Sequence, residues 1–132
     1  MPSRAEDLRQ RTEAFAVAVV KFRETLPSTV AGRRIAQQLL DAATSVAANY
    51  RAACKAHTRP LFVSKLALVA EEADESEFWL RLIIKTGLQD GRTAAPLERE
   101  AHELACIFVA SLRTAKARQP TRAVSNQQSS TF

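Results

Sequence analysis

Apolar residues recur along this chain at alternating steps of four and three, the repeat of one face of an α-helix. Leu8, Thr12, Phe15, Val19, Phe22 and Leu26 mark the first stripe and leave Arg9, Glu13 and Glu24 outside it. Ser3 followed by Glu6 has capping-box spacing and Pro27 stops the pattern, so a helix is predicted over about 5–26. Ser28 is the expected cap of a second helix over about 29–57. Here Ile35, Leu39, Ala42, Val46, Asn49 and Ala53 form one stripe, and Ala36, Leu40, Ala43, Ala47, Tyr50 and Cys54 form another beside it. The wide face is rich in alanine, which lets a neighbouring helix approach closely.

Thr58, Arg59 and Pro60 interrupt the periodicity, and a third helix is predicted over about 60–86. Its main stripe is Phe62, Leu66, Val69, Ala73, Ser76, Leu80 and Ile83. Leu61, Leu68, Trp79 and Leu82 lie partly outside that stripe, with Phe78 nearby, which points to a subunit interface. Gly87 suits a helix end and Asp90-Gly91 a turn. A fourth helix over about 94–117, capped by Thr93, follows from Leu97, Ala101, Leu104, Phe108, Ser111 and Ala115. Glu98 and Glu100 then fall in or near its first turns, and Lys116 and Arg118 at its end, as the helix dipole favours. Short connections make consecutive helices antiparallel. The expected fold is all-α, an antiparallel up-down-up-down four-helix bundle over residues 1–118, with a disordered polar tail over 119–132.

Composition narrows the alternatives. With 132 residues, 46% of them hydrophobic, the chain holds one core and is too short for a (β/α) barrel enzyme. Only 3 Gly and 5 Pro argue against an all-β sandwich. The net charge is +5, but Arg113, Lys116, Arg118 and Arg122 follow the last acid, Glu103, so the body is close to neutral. The first residues carry charge with no apolar run behind them, and no stretch is long and apolar enough to span a membrane. Cys54 and Cys106 are too few and too far apart for a zinc site, and read as reduced, part-buried thiols of a cytoplasmic protein.

Candidate chemistry is sparse. Glu71, Glu72, Asp74, Glu75 and Glu77 form an acidic run, but a carboxylate-bridged metal centre needs Glu-x-x-His pairs, and Arg99 stands where His102 would need a glutamate. The run therefore reads as a solvated face, partly paired with basic helices or met by cations of another subunit. Arg51, Lys55, Arg59 and Lys65, with His57 among them, gather at one end of the expected bundle. These cations suit phosphate contacts with RNA or DNA, or simply complement the C-terminal dipole of the second helix. Without interleaved aromatics, such binding reads no sequence. Asn49, at a seam position, is expected to be buried, hydrogen-bonded and to fix helix register. No nucleophile is expected, since neither Ser45 nor either cysteine has a histidine at a suggestive spacing.

Two segments carry a resemblance. Residues 38–50, QLLDAATSVAANY, and residues 62–80, FVSKLALVAEEADESEFWL, resemble the signatures of the bacterial four-helix-bundle family encoded in intervening sequences of large-subunit ribosomal RNA. The similarity covers about residues 8–117. Ala52 stands where that family often carries Glu, so no role of that acid is carried over. The resemblance implies a homopentamer, with Asn49, Glu75 and Trp79 serving packing and assembly. It also implies a relation to the accessory variability protein of diversity-generating retroelements, which works with a reverse transcriptase and nucleic acid.

Three function classes follow. The first is a non-catalytic oligomeric protein associated with RNA or DNA, or an adaptor for a reverse transcriptase or another protein. The second is a purely structural scaffold that binds a protein partner. The third, a metalloenzyme bundle, is disfavoured by ligand spacing. No cofactor and no enzymatic activity are expected.

Overall fold

The computed structural model describes residues 3–118. Four helices account for nearly all of them: α1 (Arg4–Arg23), α2 (Val30–Cys54), α3 (Arg59–Thr86) and α4 (Gly91–Ala117). The tail expected over 119–132 lies outside the described residues. Helix α3 packs most extensively on α4 and on α2, α1 lies against α2, and α1 touches α4 lightly. Among the described residues the diagonal pairs α1–α3 and α2–α4 have no backbone proximity, so the helices stand at the corners of a square.

The stripes read from the sequence line the core. Leu8, Thr12, Phe15, Val19, Phe22 and Leu26 are all buried, as are Leu66, Val69, Ala73, Ser76, Leu80 and Ile83. Two core hydroxyls are satisfied within their own helices: Thr12 donates to the Leu8 carbonyl at 2.8 Å and Ser76 to the Glu72 carbonyl at 2.8 Å. In α2 the buried line runs through Leu39, Ala42, Ala43, Val46, Tyr50 and Ala53. That line leaves Asn49 at the margin of the face.

Helix ends differ from expectation in instructive ways. Ser3 caps α1, accepting from the Glu6 amide at 3.1 Å. Thr29 rather than Ser28 caps α2, accepting from the Gly32 amide at 3.1 Å. Asp90 rather than Thr93 caps α4, accepting from the Arg92 amide at 2.9 Å. In each case the chain uses the side-chain oxygen three or two residues before an orphan amide, and the helix starts there. Because α4 starts at Gly91, Glu98 and Glu100 lie beyond its first turn and pair across the bundle instead. Gly87, at φ 74°, closes α3 in the left-handed conformation that glycine adopts without strain. The two turns at that end are tied by Gln89, whose amide donates to the Thr25 hydroxyl at 2.6 Å. Among the described residues no helix is long and apolar enough to cross a membrane.

Candidate nucleic-acid interface

Antiparallel connections bring the start of α1, the end of α2, the start of α3 and the end of α4 to one end of the bundle. Arg51 and Lys55 sit at the close of α2 and Arg59 opens α3, all three exposed, while Lys65, a turn and a half further on, is half-buried. Two more cations join them that were not among the expected site residues. Arg4 and Arg118, with Arg59, Phe62, Ser111 and Thr114, line a groove of about 380 Å³. The topology supplies the signal for them, because short connections make the first turn of α1 a neighbour of the last turn of α4. Among the described residues none of these cations is paired with a carboxylate, whereas Arg9, close by, pairs with Glu6. The C-termini of α2 and α4 contribute negative dipole ends here, which already favours cations.

Aromatic side chains at this end serve the core first. Tyr50 is buried, and burial pushes its phenol up to about 12, with Cys54 adding to the shift and Arg4 and Arg9 opposing it. Phe62, half-buried, contributes an apolar wall to the groove.

The acidic run lies midway along α3. Glu71, Asp74 and Glu75 are exposed. Burial, followed by repulsion from Glu75, Glu71 and Asp41, holds the Glu72 carboxyl above its ordinary range. Glu77 departs from the expected solvated face. It is buried, accepts from Arg81 at 2.6 Å and lies 3.0 Å from His102 of α4. A second cross-helix contact was not foreseen: Arg11 of α1 donates through Nε and an Nη to both carboxylate oxygens of Glu100, at 2.8 and 2.7 Å, and reaches Glu103 at 2.9 Å. These contacts hold the Arg11 guanidinium above its already high range.

The residues assigned to assembly divide. On α3, Leu61, Leu68 and Phe78 are exposed at 41%, 38% and 54%. Leu61 and Leu68 share a face, and Phe78 stands roughly a quarter turn round the helix from them. Trp79 and Leu82 are half-buried. The Trp79 indole donates to Glu75 Oε1 at 3.3 Å, so these two motif residues form a unit on the helix surface. Asn49 is a correction. It is half-buried, and among the described residues its amide makes no hydrogen bond, because Val46, Tyr50 and Ala53 take the inward positions. Val17, Val20 and Val109 add exposed apolar surface on α1 and α4 that periodicity alone had not singled out.

The cysteines are corrections too. Both are exposed rather than part-buried. Cys106 does have a histidine within reach, His102, one turn earlier on α4. Among the described residues no three His, Cys, Asp or Glu side chains are grouped so as to hold a metal ion.

Family comparison places this bundle. The sequence model of the 23S rRNA-intervening sequence proteins matches residues 5–110, from the first turn of α1 into the last third of α4. The chain belongs to the 23S rRNA-intervening sequence protein family. No curated protein matches it. Among solved structures it is similar to a protein of unknown function from the S23 ribosomal protein family of Bacteroides thetaiotaomicron, at 27% identity and a TM-score of 0.71, over 80% of this chain and 97% of that one. For the intervening-sequence family member described here, the matched span ends before the last cations of α4, Arg113, Lys116 and Arg118. The basic end thus combines residues inside the family match with residues beyond it.

Proposed function

We propose that this intervening-sequence family member is a non-catalytic homo-oligomer that holds RNA or DNA through phosphate contacts at the basic end of its bundle, without reading sequence. The observation that carries this reading is the convergence of Arg4, Arg51, Lys55, Arg59 and Arg118, drawn from all four helices, with no carboxylate partner among the described residues. A groove lined by arginines and by Ser and Thr hydroxyls suits a sugar–phosphate backbone. One copy offers few phosphate contacts, and a ring of copies multiplies them through avidity. The pentamer implied by the resemblance is the assembly we favour, with the exposed α3 residues Leu61, Leu68 and Phe78 at its seams and Asn49, Glu75, Trp79 and Leu82 serving packing and assembly. A cytoplasmic setting, and a reverse transcriptase as one protein that the nucleic-acid complex serves, complete the reading.

The second reading is a structural scaffold. It is favoured by Glu71, Asp74 and Glu75 of α3, which have no cation partner among the described residues and in an oligomer offer Arg51 and Lys55 of a neighbour an alternative to phosphate. Gel shifts with generic RNA and DNA separate the two. Arg51→Glu with Lys55→Glu should abolish the shift and leave the mass of the oligomer unchanged. Loss of the oligomer in the same variant favours the scaffold. The test is repeated on a chain ending at Gln119, which removes Arg122.

A further inference from the structure

Helix α4 carries His102 and Cys106 one turn apart, and Glu77 of α3 faces them. His102 Nε2 lies 3.6 Å from Cys106 Sγ, and His102 Nδ1 lies 3.0 Å from Glu77 Oε2. The Glu77 side chain is 9% exposed and that of His102 58% exposed. Cys106 itself is open to solvent. The same Glu77 oxygen accepts from Arg81 at 2.6 Å, and Arg81 in turn lies 3.5 Å from Glu98. An arginine-bound carboxylate only accepts hydrogen bonds, so the imidazole nitrogen facing it carries the proton. In the neutral ring that leaves the Nε2 lone pair directed at the thiol. Nucleophile, base and a third group that orients the base are thus in sequence, the arrangement by which weak nucleophiles are activated. Cys54 provides an internal contrast: it too is exposed, its neighbour one turn back is Tyr50, which supplies no base near neutral pH, and among the described residues it makes no hydrogen bond to a histidine, His57 included.

We propose that Cys106 is a nucleophilic thiol that takes up low-molecular-weight disulfides by thiol–disulfide exchange. Cys106 Sγ attacks one sulfur of the small disulfide. The new S–S bond forms as the old one breaks, and the thiol proton passes to His102 Nε2 and from there to the departing thiolate. One thiol and one disulfide enter, and one mixed disulfide and one thiol leave, with no outside oxidant. Glu77 is the positioning residue. A groove of about 350 Å³ beside the imidazole is lined by Glu77, Arg81, Glu98, Arg99, His102 and Glu103; Cys106 stands outside that lining and meets the incoming group from open solvent. The product is a covalent modification on the outer surface of the α3–α4 pair, independent of the nucleic-acid reading.

The test uses the full chain and hydroxyethyl disulfide, an uncharged probe, with adducts followed by mass spectrometry. The Cys54→Ser variant, which retains Cys106, should react about tenfold faster near neutral pH than Cys106→Ser, a gain below the ~10²–10⁴ of general-base catalysis in closed sites because this one is open to water. His102→Gln should bring Cys106 down to the rate of Cys54, and free imidazole should restore part of the rate in His102→Ala. Circular dichroism checks that each variant keeps its helices. Equal rates at the two cysteines overturn the proposal by themselves, whatever the histidine variants do. An unchanged Cys106 rate in a folded His102→Gln protein overturns it as well.

Discussion

Tyr50 of α2 and Phe108 of α4 meet as tilted rings, with centroids 5.1 Å apart and planes inclined by 46°. Their helices stand on a diagonal of the square, so this pair closes the space that the four corners leave between them. Phe108 is wholly buried. Phe108→Ala should cost about 3–5 kcal/mol, the range for emptying a buried phenylalanine site, measured by denaturant unfolding.

Tyr50 is the only tyrosine, which makes its titration readable by absorbance. The phenol is pushed up from 10.0 to about 12 by burial. The neutral form is the one the fold holds, so this contribution to stability is fully present below pH 10, declines as the pH rises and is lost by about 12. Tyrosinate absorbance in the folded protein should therefore appear near the upper value, and in denaturant near the lower.

Gly32 sits where α2 leaves its connection to α1. A Cβ there would come within 2.2 Å of the Pro27 carbonyl oxygen and 3.2 Å of its carbon. Alanine is the better helix former by about 1 kcal/mol. Here the clash is with backbone, so Gly32→Ala should instead destabilise by about 1–3 kcal/mol, the usual range for overpacking. Thermal unfolding of the variant decides the sign.

Glu72 should respond to pH in the opposite direction from a salt-bridged acid. Its carboxyl titrates above 4.5 because burial and the charges of Glu75, Glu71 and Asp41 disfavour ionisation. The folded state therefore binds this proton more tightly than the unfolded chain, and the stability it contributes is lost as the pH rises through the raised value. At neutral pH, Glu72→Gln should raise stability by about 0.2–0.5 kcal/mol, from the repulsion relieved with Glu75 one turn away. The difference from the parent protein should vanish as the pH falls below the ordinary carboxylate range.

Much of this architecture was legible because burial leaves a period in the sequence. Leu8 to Leu26 and Leu66 to Ile83 are core residues at helical spacing, and Gly87 marks its helix end by the one conformation it alone tolerates. What was misread depends on neighbours that the sequence does not place. Asn49 shares a stripe with Val46 and Ala53, yet a small rotation of α2 moves it to the margin. Ser28 and Thr93 are as suitable as Thr29 and Asp90 by type, and only the emerging backbone chooses between them. Arg11 with Glu100, and Glu77 with His102, join different helices and leave no local trace. His102 and Cys106 were one turn apart on a predicted helix, so that pair was open to a spacing argument.

The exposed apolar residues of α3 carry a prediction of their own. Leu68→Ser with Phe78→Ser replaces exposed residues, so the fold should survive and the oligomer should weaken. Light scattering at micromolar concentration should give a mass several times that of the 14.5 kDa chain for the parent protein and a lower one for the variant. A parent protein that is monomeric contradicts the proposed assembly.

The most direct measurement of the account is the salt dependence of RNA and DNA binding, read by fluorescence anisotropy on oligonucleotides of unrelated sequence. Each phosphate neutralised contributes a slope of roughly −0.7 on single strands and −0.9 on duplex in a plot of log affinity against log salt. Affinities should be alike across sequences and fall steeply with salt, and binding should be lost when Arg51 and Lys55 are replaced by Glu. Absence of binding at low salt, or binding untouched by those two replacements, would contradict the account.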